Sequence, residues 1–243
     1  MDTYFAKIEE ILRTVIRTQK EAMGQAAECF AKSLITDHKL FLFGTGHSHM
    51  LAEEAFYRAG GLMDIVPILE SGLMLHEGAT KSTKMERMEG YAEILLDEHQ
   101  VAEGDVLVVI SNSGRNAVPI EMALGAKSRG AKVIAVTNLT QSLQATSRHR
   151  SGKKLYEVAD IVLDNCGCDG DAAVYFEDLG LSVGPSSTVI GAFIINGIIV
   201  QTVKNCLEKG YVPPIYMSAN VEEGDDHNAK VKRITRAERM DDI

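Results

Sequence analysis

The chain has 243 residues, 45% of them apolar and 24% charged, which is enough to bury one large core. Its formal net charge of −9 argues against an extended nucleic-acid footprint, because a polyanion is held by many Lys and Arg contacts that displace counterions. A local site for a small anion remains open. Cys29, Cys166, Cys168 and Cys206 are too sparse for a disulfide scaffold, and Met1 opens directly into an amphipathic segment. The expected setting is therefore the reducing cytoplasm.

From Asp2 to about Leu34, Phe5, Ile8, Leu12, Val15, Ile16, Met23, Ala27 and Phe30 recur near helical spacing, predicting one or two helices in an N-terminal extension over 1–38. Short β-prone runs follow at Leu40–Phe43, Ile65–Leu69, Val106–Ile110, Val133–Val136 and Ile161–Leu163. Most alternate with helical patterns, including Glu86–Glu98 and Ala117–Arg129. That alternation predicts one doubly wound α/β domain over 39–210 with a parallel sheet. The apolar stretch from Thr188 to Val203 is interrupted by Gly191, Asn196, Gly197 and Gln201, so it reads as a buried core helix and no membrane span is expected. Tyr211-Val212-Pro213-Pro214 ends that helix, and an acidic loop and a basic tail complete a segment over 211–243.

Ligands of such sheets bind beyond the carboxyl ends of the strands, where loops feed helices and leave backbone amides unsatisfied. Three loops fit. Gly44-Thr45-Gly46-His47-Ser48-His49 follows the first strand, and its glycines permit close backbone approach. Ser111-Asn112-Ser113-Gly114-Arg115-Asn116 follows the third strand and precedes a helix, so its hydroxyls and amides are placed to surround a phosphate. Pro185-Ser186-Ser187-Thr188 precedes the long apolar helix, where serines either cap the helix or reach a ligand.

Ile110-Ser111-Asn112-Ser113-Gly114, flanked by Gly44-Thr45-Gly46-His47-Ser48 and Ser186-Ser187-Thr188, resembles the sugar isomerase (SIS) family over about Leu40 to Val203. That family includes phosphoheptose isomerases and arabinose-5-phosphate isomerases. The resemblance implies a flavodoxin-like, five-stranded parallel sheet and a phosphorylated sugar as ligand. It also implies phosphate-binding roles for Ser111, Ser113 and Asn116, with Thr45 and Ser48 contributing. Pockets between subunits are common in the family, which implies a homodimer or homotetramer. Leu75-His76-Glu77-Gly78 is similar to a histidine-containing loop of the arabinose-5-phosphate isomerases. His47 stands where those enzymes commonly carry lysine, and Leu181-Ser182-Val183-Gly184 lacks the histidine they place there.

Aldose–ketose isomerisation moves a proton between adjacent carbons and stabilises an enediolate, with no cofactor or metal required. Glu77 is the expected base and His76 the expected hydroxyl-proton shuttle. The expected ligand contacts are Gly44, Thr45, Gly46, His47, Ser48, Ser111, Asn112, Ser113, Asn116, Ser186, Ser187 and Thr188. Glu54 or Glu53 is expected to pair with Arg58 at helical spacing. Asp164-Asn165-Cys166-Gly167-Cys168-Asp169-Gly170-Asp171 reads as a flexible acidic loop, since two thiols without a second Cys/His pair make an incomplete metal site. Three alternatives stay open: a noncatalytic sugar-phosphate sensor or adaptor, an amino-sugar-phosphate lyase or etherase, and, less favoured, a dinucleotide binder whose third glycine is replaced by His49.

Overall fold

A computed structural model describes residues 1–233. Ten α-helices lie among the described residues: α1 (Asp2–Thr18), α2 (Lys20–Ile35), α3 (Met50–Ala55), α4 (Ala79–Met85), α5 (Tyr91–Glu98), α6 (Ala117–Ser128), α7 (Leu139–Gln144), α8 (Leu155–Val158), α9 (Ser187–Glu208) and α10 (Gly224–Arg233). The five β-prone runs become β1 (Leu40–Gly44), β2 (Ile65–Ile68), β3 (Val106–Ile110), β4 (Lys132–Thr137) and β5 (Ile161–Asp164). They form an all-parallel sheet in the order β2-β1-β3-β4-β5.

Side chains alternate across the pleat, and both faces are covered, which is why these strands show almost no polar alternation. On one face Leu40, Leu42, Val106, Val108, Ile134 and Val136 join a core closed by α1, α2, α3 and α9. On the other, Phe41, Phe43, Leu107, Val109, Val133 and Ala135 pack under α5, α6 and α8. The opening helices are thus part of the core: Ile11, Val15, Ala27, Phe30 and Leu34 are all buried.

α9 is long and apolar enough to cross a membrane by length and composition, and 44% of its most apolar window is buried inside the fold. Ile190, Ile194, Ile195, Ile198 and Ile199 fill the first core, in line with a core helix. After α9 the chain returns along residues 60–63, where Met63 N–H donates to the Pro214 carbonyl at 2.9 Å and Tyr216 N–H to the Gly61 carbonyl at 3.0 Å.

Two local expectations need correction. The helix expected over Glu86–Glu98 is confined to α5; the residues between the end of α4 and Tyr91 form a turn in which Gly90 adopts φ 85°, a conformation that favours glycine. The loop over 164–171 is built rather than loose, because the Asp164 carboxylate accepts the Leu139 and Cys166 N–H groups. It leads into an unanticipated antiparallel hairpin, β6 (Ala172–Phe176) and β7 (Leu181–Pro185).

Candidate functional site

The order of the strands reverses direction between β1 and β3, and their register pairs Gly44 with Ile110. The first and second loops therefore leave the sheet side by side at its switch point, where open α/β sheets hold ligands. A crevice there is lined by His47, Ser48, Leu51, Ile110, Asn112, Val136, Asn165, Ser187 and Thr188.

In the first loop a Cβ on Gly44 would lie 2.5 Å from the backbone carbonyl of Ser48, so glycine lets the turn fold back on the strand. Thr45 is buried and its hydroxyl donates to Glu86 Oε2 at 2.8 Å. His47 is exposed and Ser48 half-buried. Among the described residues the Ser48 hydroxyl has no hydrogen-bond partner, so it is free to meet a ligand. Glu54 does pair with Arg58, at 2.8 Å.

In the second loop the buried Ser111 Oγ accepts the Gly114 N–H at 3.2 Å, which tightens the turn and leaves the hydroxyl proton available. Asn112 is held on both ends of its amide: it donates to Gln141 Oε1 at 2.8 Å and accepts from Asn165 Nδ2 at 2.7 Å. Ser113 is half-buried, and its hydroxyl has no partner among the described residues. Asn116 precedes α6 but makes no side-chain capping bond; its Oδ1 accepts from Arg148 Nη1 at 3.0 Å. Arg115 does not simply point into solvent, since its Nε is buried with no hydrogen-bond partner.

In the third loop the Asp171 carboxylate accepts the N–H groups of Ser186 and Ser187 at 3.0 and 2.7 Å and the Ser187 hydroxyl at 2.7 Å. Asp171 thus places a negative charge at the N-terminus of α9, where a ligand anion would otherwise bind. Thr188 is half-buried and lines the crevice beside Ser187.

The expected catalytic pair lies elsewhere. His76 and Glu77 are exposed and outside the crevice lining. Glu77 Oε2 accepts from Lys81 Nζ at 2.5 Å, and that bond, with help from Ser71, holds its carboxyl below the ordinary carboxylate range. A base so stabilised is weakened.

Asn165 lines the crevice but was not among the expected contacts, although it directly follows β5, the place where the strand-end rule would have found it. Glu86 and Arg148 were missed because nothing in their local sequence distinguishes them. His227 bonds the Ile215 carbonyl of its own chain at 3.1 Å.

A family model described as SIS domain matches residues 3–138. The chain belongs to the SIS family. A UPF0309 protein of Halalkalibacterium halodurans is 47% identical to this SIS protein over 226 residues, covering 93% of this chain and 90% of its own. Among solved structures, a phosphoheptose isomerase from Francisella tularensis aligns with a TM-score of 0.56 at 16% identity, over 84% of this chain and 96% of that one. A protein of Escherichia coli CFT073, solved as a ligand complex, aligns with a TM-score of 0.53 at 18% identity, over 86% and 89%. At these identities the structural likeness shows the fold, in which this chain has a five-stranded all-parallel sheet flanked by helices.

Proposed function

We propose that this SIS protein binds a phosphorylated sugar and isomerises it between aldose and ketose forms. The observation that carries the reading is the pair of unpartnered hydroxyls, Ser48 and Ser113, on adjacent loops at the switch point beside the N-terminus of α6. Neutral side chains line the crevice, with His47 its one titratable group among the described residues, which suits the hydroxyls of a sugar. The phosphate then sits over the second loop, on Ser111, Ser113 and Asn116 and the amides that open α6. Thr45 and Gly44 shape the first wall, and Ser186, Ser187 and Asp171 hold the third with Thr188 facing the ligand.

Of the groups able to move a proton, His47 is the one on the crevice. Glu77 and His76 act in this reaction only if their loop approaches the sugar, so the hydroxyl proton is assigned to His47 and Glu77 is kept as the candidate base. Among the described residues no carboxylate lines the crevice, which favours a second reading, a sensor that binds the sugar phosphate without turning it over. On either reading we place the protein in the cytoplasm as a homodimer or homotetramer.

The deciding experiment is thermal stabilisation across aldose, ketose and amino-sugar phosphates and the matched unphosphorylated sugars, with product analysis of each hit. Phosphate-dependent stabilisation with interconversion establishes the isomerase, and stabilisation without it leaves the sensor. Cleavage products would assign a lyase or etherase instead. Turnover that survives Glu77→Gln and is lost in His47→Asn removes Glu77 from the chemistry.

A further inference from the structure

Four arginines of this acidic chain sit on carboxylates: Arg13, Arg58, Arg129 and Arg150 each make an ion pair. Arg87, Arg115 and Arg148 do not, among the described residues, and the fold brings all three to the start of α6. Arg115 belongs to the second loop, and its Nε is buried without a partner. Arg148 is fastened to that loop twice, through its N–H to the Arg115 carbonyl at 2.8 Å and through Nη1 to Asn116 Oδ1 at 3.0 Å. Arg87 arrives because the Glu86 carbonyl accepts the Val118 N–H at 3.1 Å, in the first turn of α6.

The segments that carry Arg87 and Arg148 are also tied to each other. Glu89 Oε1 accepts the Arg150 N–H at 2.8 Å, and His149 Nε2 lies 3.3 Å from Glu121 Oε1 on α6. The three segments are therefore held together beside the start of α6, close enough for the charges of Arg115 and Arg87 to act on the Arg148 guanidinium. Burial, then the charges of Arg115 and Arg87, push the Arg148 guanidinium below its ordinary value, and Glu86 opposes them. Three unpaired cations kept together at a helix N-terminus leave an excess of positive charge that an anion would relieve.

We propose that Arg87, Arg115 and Arg148 form a cationic clamp for a phosphate dianion, flanking the hydroxyls of the second loop. The inference rests on the phosphosugar reading and deepens it: the sugar lies in the neutral crevice, and its phosphate is selected by charge as well as by hydroxyls. Arg148 can keep Asn116 and still reach an anion, because a guanidinium carries five N–H donors. The clamp also accounts for how a chain of net charge −9 attracts an anionic ligand, since the field that matters is local.

The test titrates the full chain with inorganic phosphate, followed by phosphorus NMR, and with the phosphosugar identified by the stabilisation panel, followed by calorimetry. Both are repeated for Arg115→Gln, Arg148→Gln and the double variant of the exposed pair, Arg87→Gln with Arg148→Gln. The expected result is a loss of phosphate affinity of about tenfold or more in each variant, with a weaker salt dependence and an unshifted melting temperature. Unchanged affinity in the double variant, or no phosphate binding to the parent chain, overturns the clamp. Phosphosugar binding that ignores the arginines sinks this inference and spares the phosphosugar reading. Arginine-dependent binding of inorganic phosphate without binding of any phosphosugar does the reverse.

Discussion

Gly44 ends β1 at the point where the chain must turn back over its own strand, and the atoms a Cβ would meet are backbone atoms of Ser48 and His49, at 2.5 and 2.8 Å. Backbone cannot swing aside as a side chain can, so Gly44→Ala is expected to displace Ser48 and abolish phosphosugar binding, with a lower melting temperature read by calorimetry. Ser113 is the opposite case. Its hydroxyl supports no other part of the described fold, so Ser113→Ala is expected to leave the melting temperature alone. It should weaken phosphosugar affinity by roughly 1.5–3 kcal/mol, the worth of one charge-assisted hydrogen bond. Titration calorimetry on the pair checks both, and unchanged affinity in Ser113→Ala would reject that residue as an anchor. The residue types and spacing of the second loop made Ser113 legible in the sequence. The role of Arg148 was not, because it depends on a contact 32 residues away.

At the scale of elements, Asp160 fastens β4, α6 and the end of α8. It accepts the Val133 N–H at 2.8 Å and Lys127 Nζ at 2.9 Å, with Lys132 Nζ at 3.7 Å. Burial alone would raise its carboxyl, but the Val133 bond and the two ammonium groups outweigh that and hold it below the ordinary 3.8. A depressed folded pKa stabilises the fold above the unfolded value, and the contribution is lost as pH falls through the lower folded value. Asp160→Asn should therefore reduce stability at neutral pH and flatten the acid limb of the melting temperature plotted against pH. An acid limb identical to that of the parent chain would show that Asp160 does not couple these elements. Element types were largely readable, since β1, β3 and α6 emerged from runs of apolar residues. The break of α4 from α5 and the β6–β7 hairpin were not, because Gly90 and the exposed strands of the hairpin carry no period that separates them from helix or loop.

At the scale of the molecule, the hairpin leaves Tyr175, Phe176, Leu179, Leu181 and Val183 exposed, with Leu181 at 67%. It packs on α1, where the Tyr4 hydroxyl donates to the Pro185 carbonyl at 2.8 Å, and Phe5 lies exposed nearby in sequence. Apolar side chains gathered on one projection are characteristic of an association surface, and this is the face to which we assign the proposed homo-oligomer. The double variant Phe176→Asp with Leu181→Asp is expected to sediment as a monomer with its phosphate site intact. A parent chain that is itself monomeric would dismiss the assignment.

The parallel sheet and the position of the candidate-site loops followed from the sequence alone, because strands buried on both faces require continuous apolar runs and strand-end loops inherit their place from the strands. Residues 234–243 of the basic tail lie outside the described residues. Tertiary structure alone decided which polar groups are already occupied. Thr45 is held by Glu86, Ser187 by Asp171 and Glu77 by Lys81, whereas Ser48 and Ser113 stay free among the described residues. Only the fold could bring Arg87, Arg115 and Arg148 together, because hydrogen bonding and charge act through space between segments that local sequence does not relate.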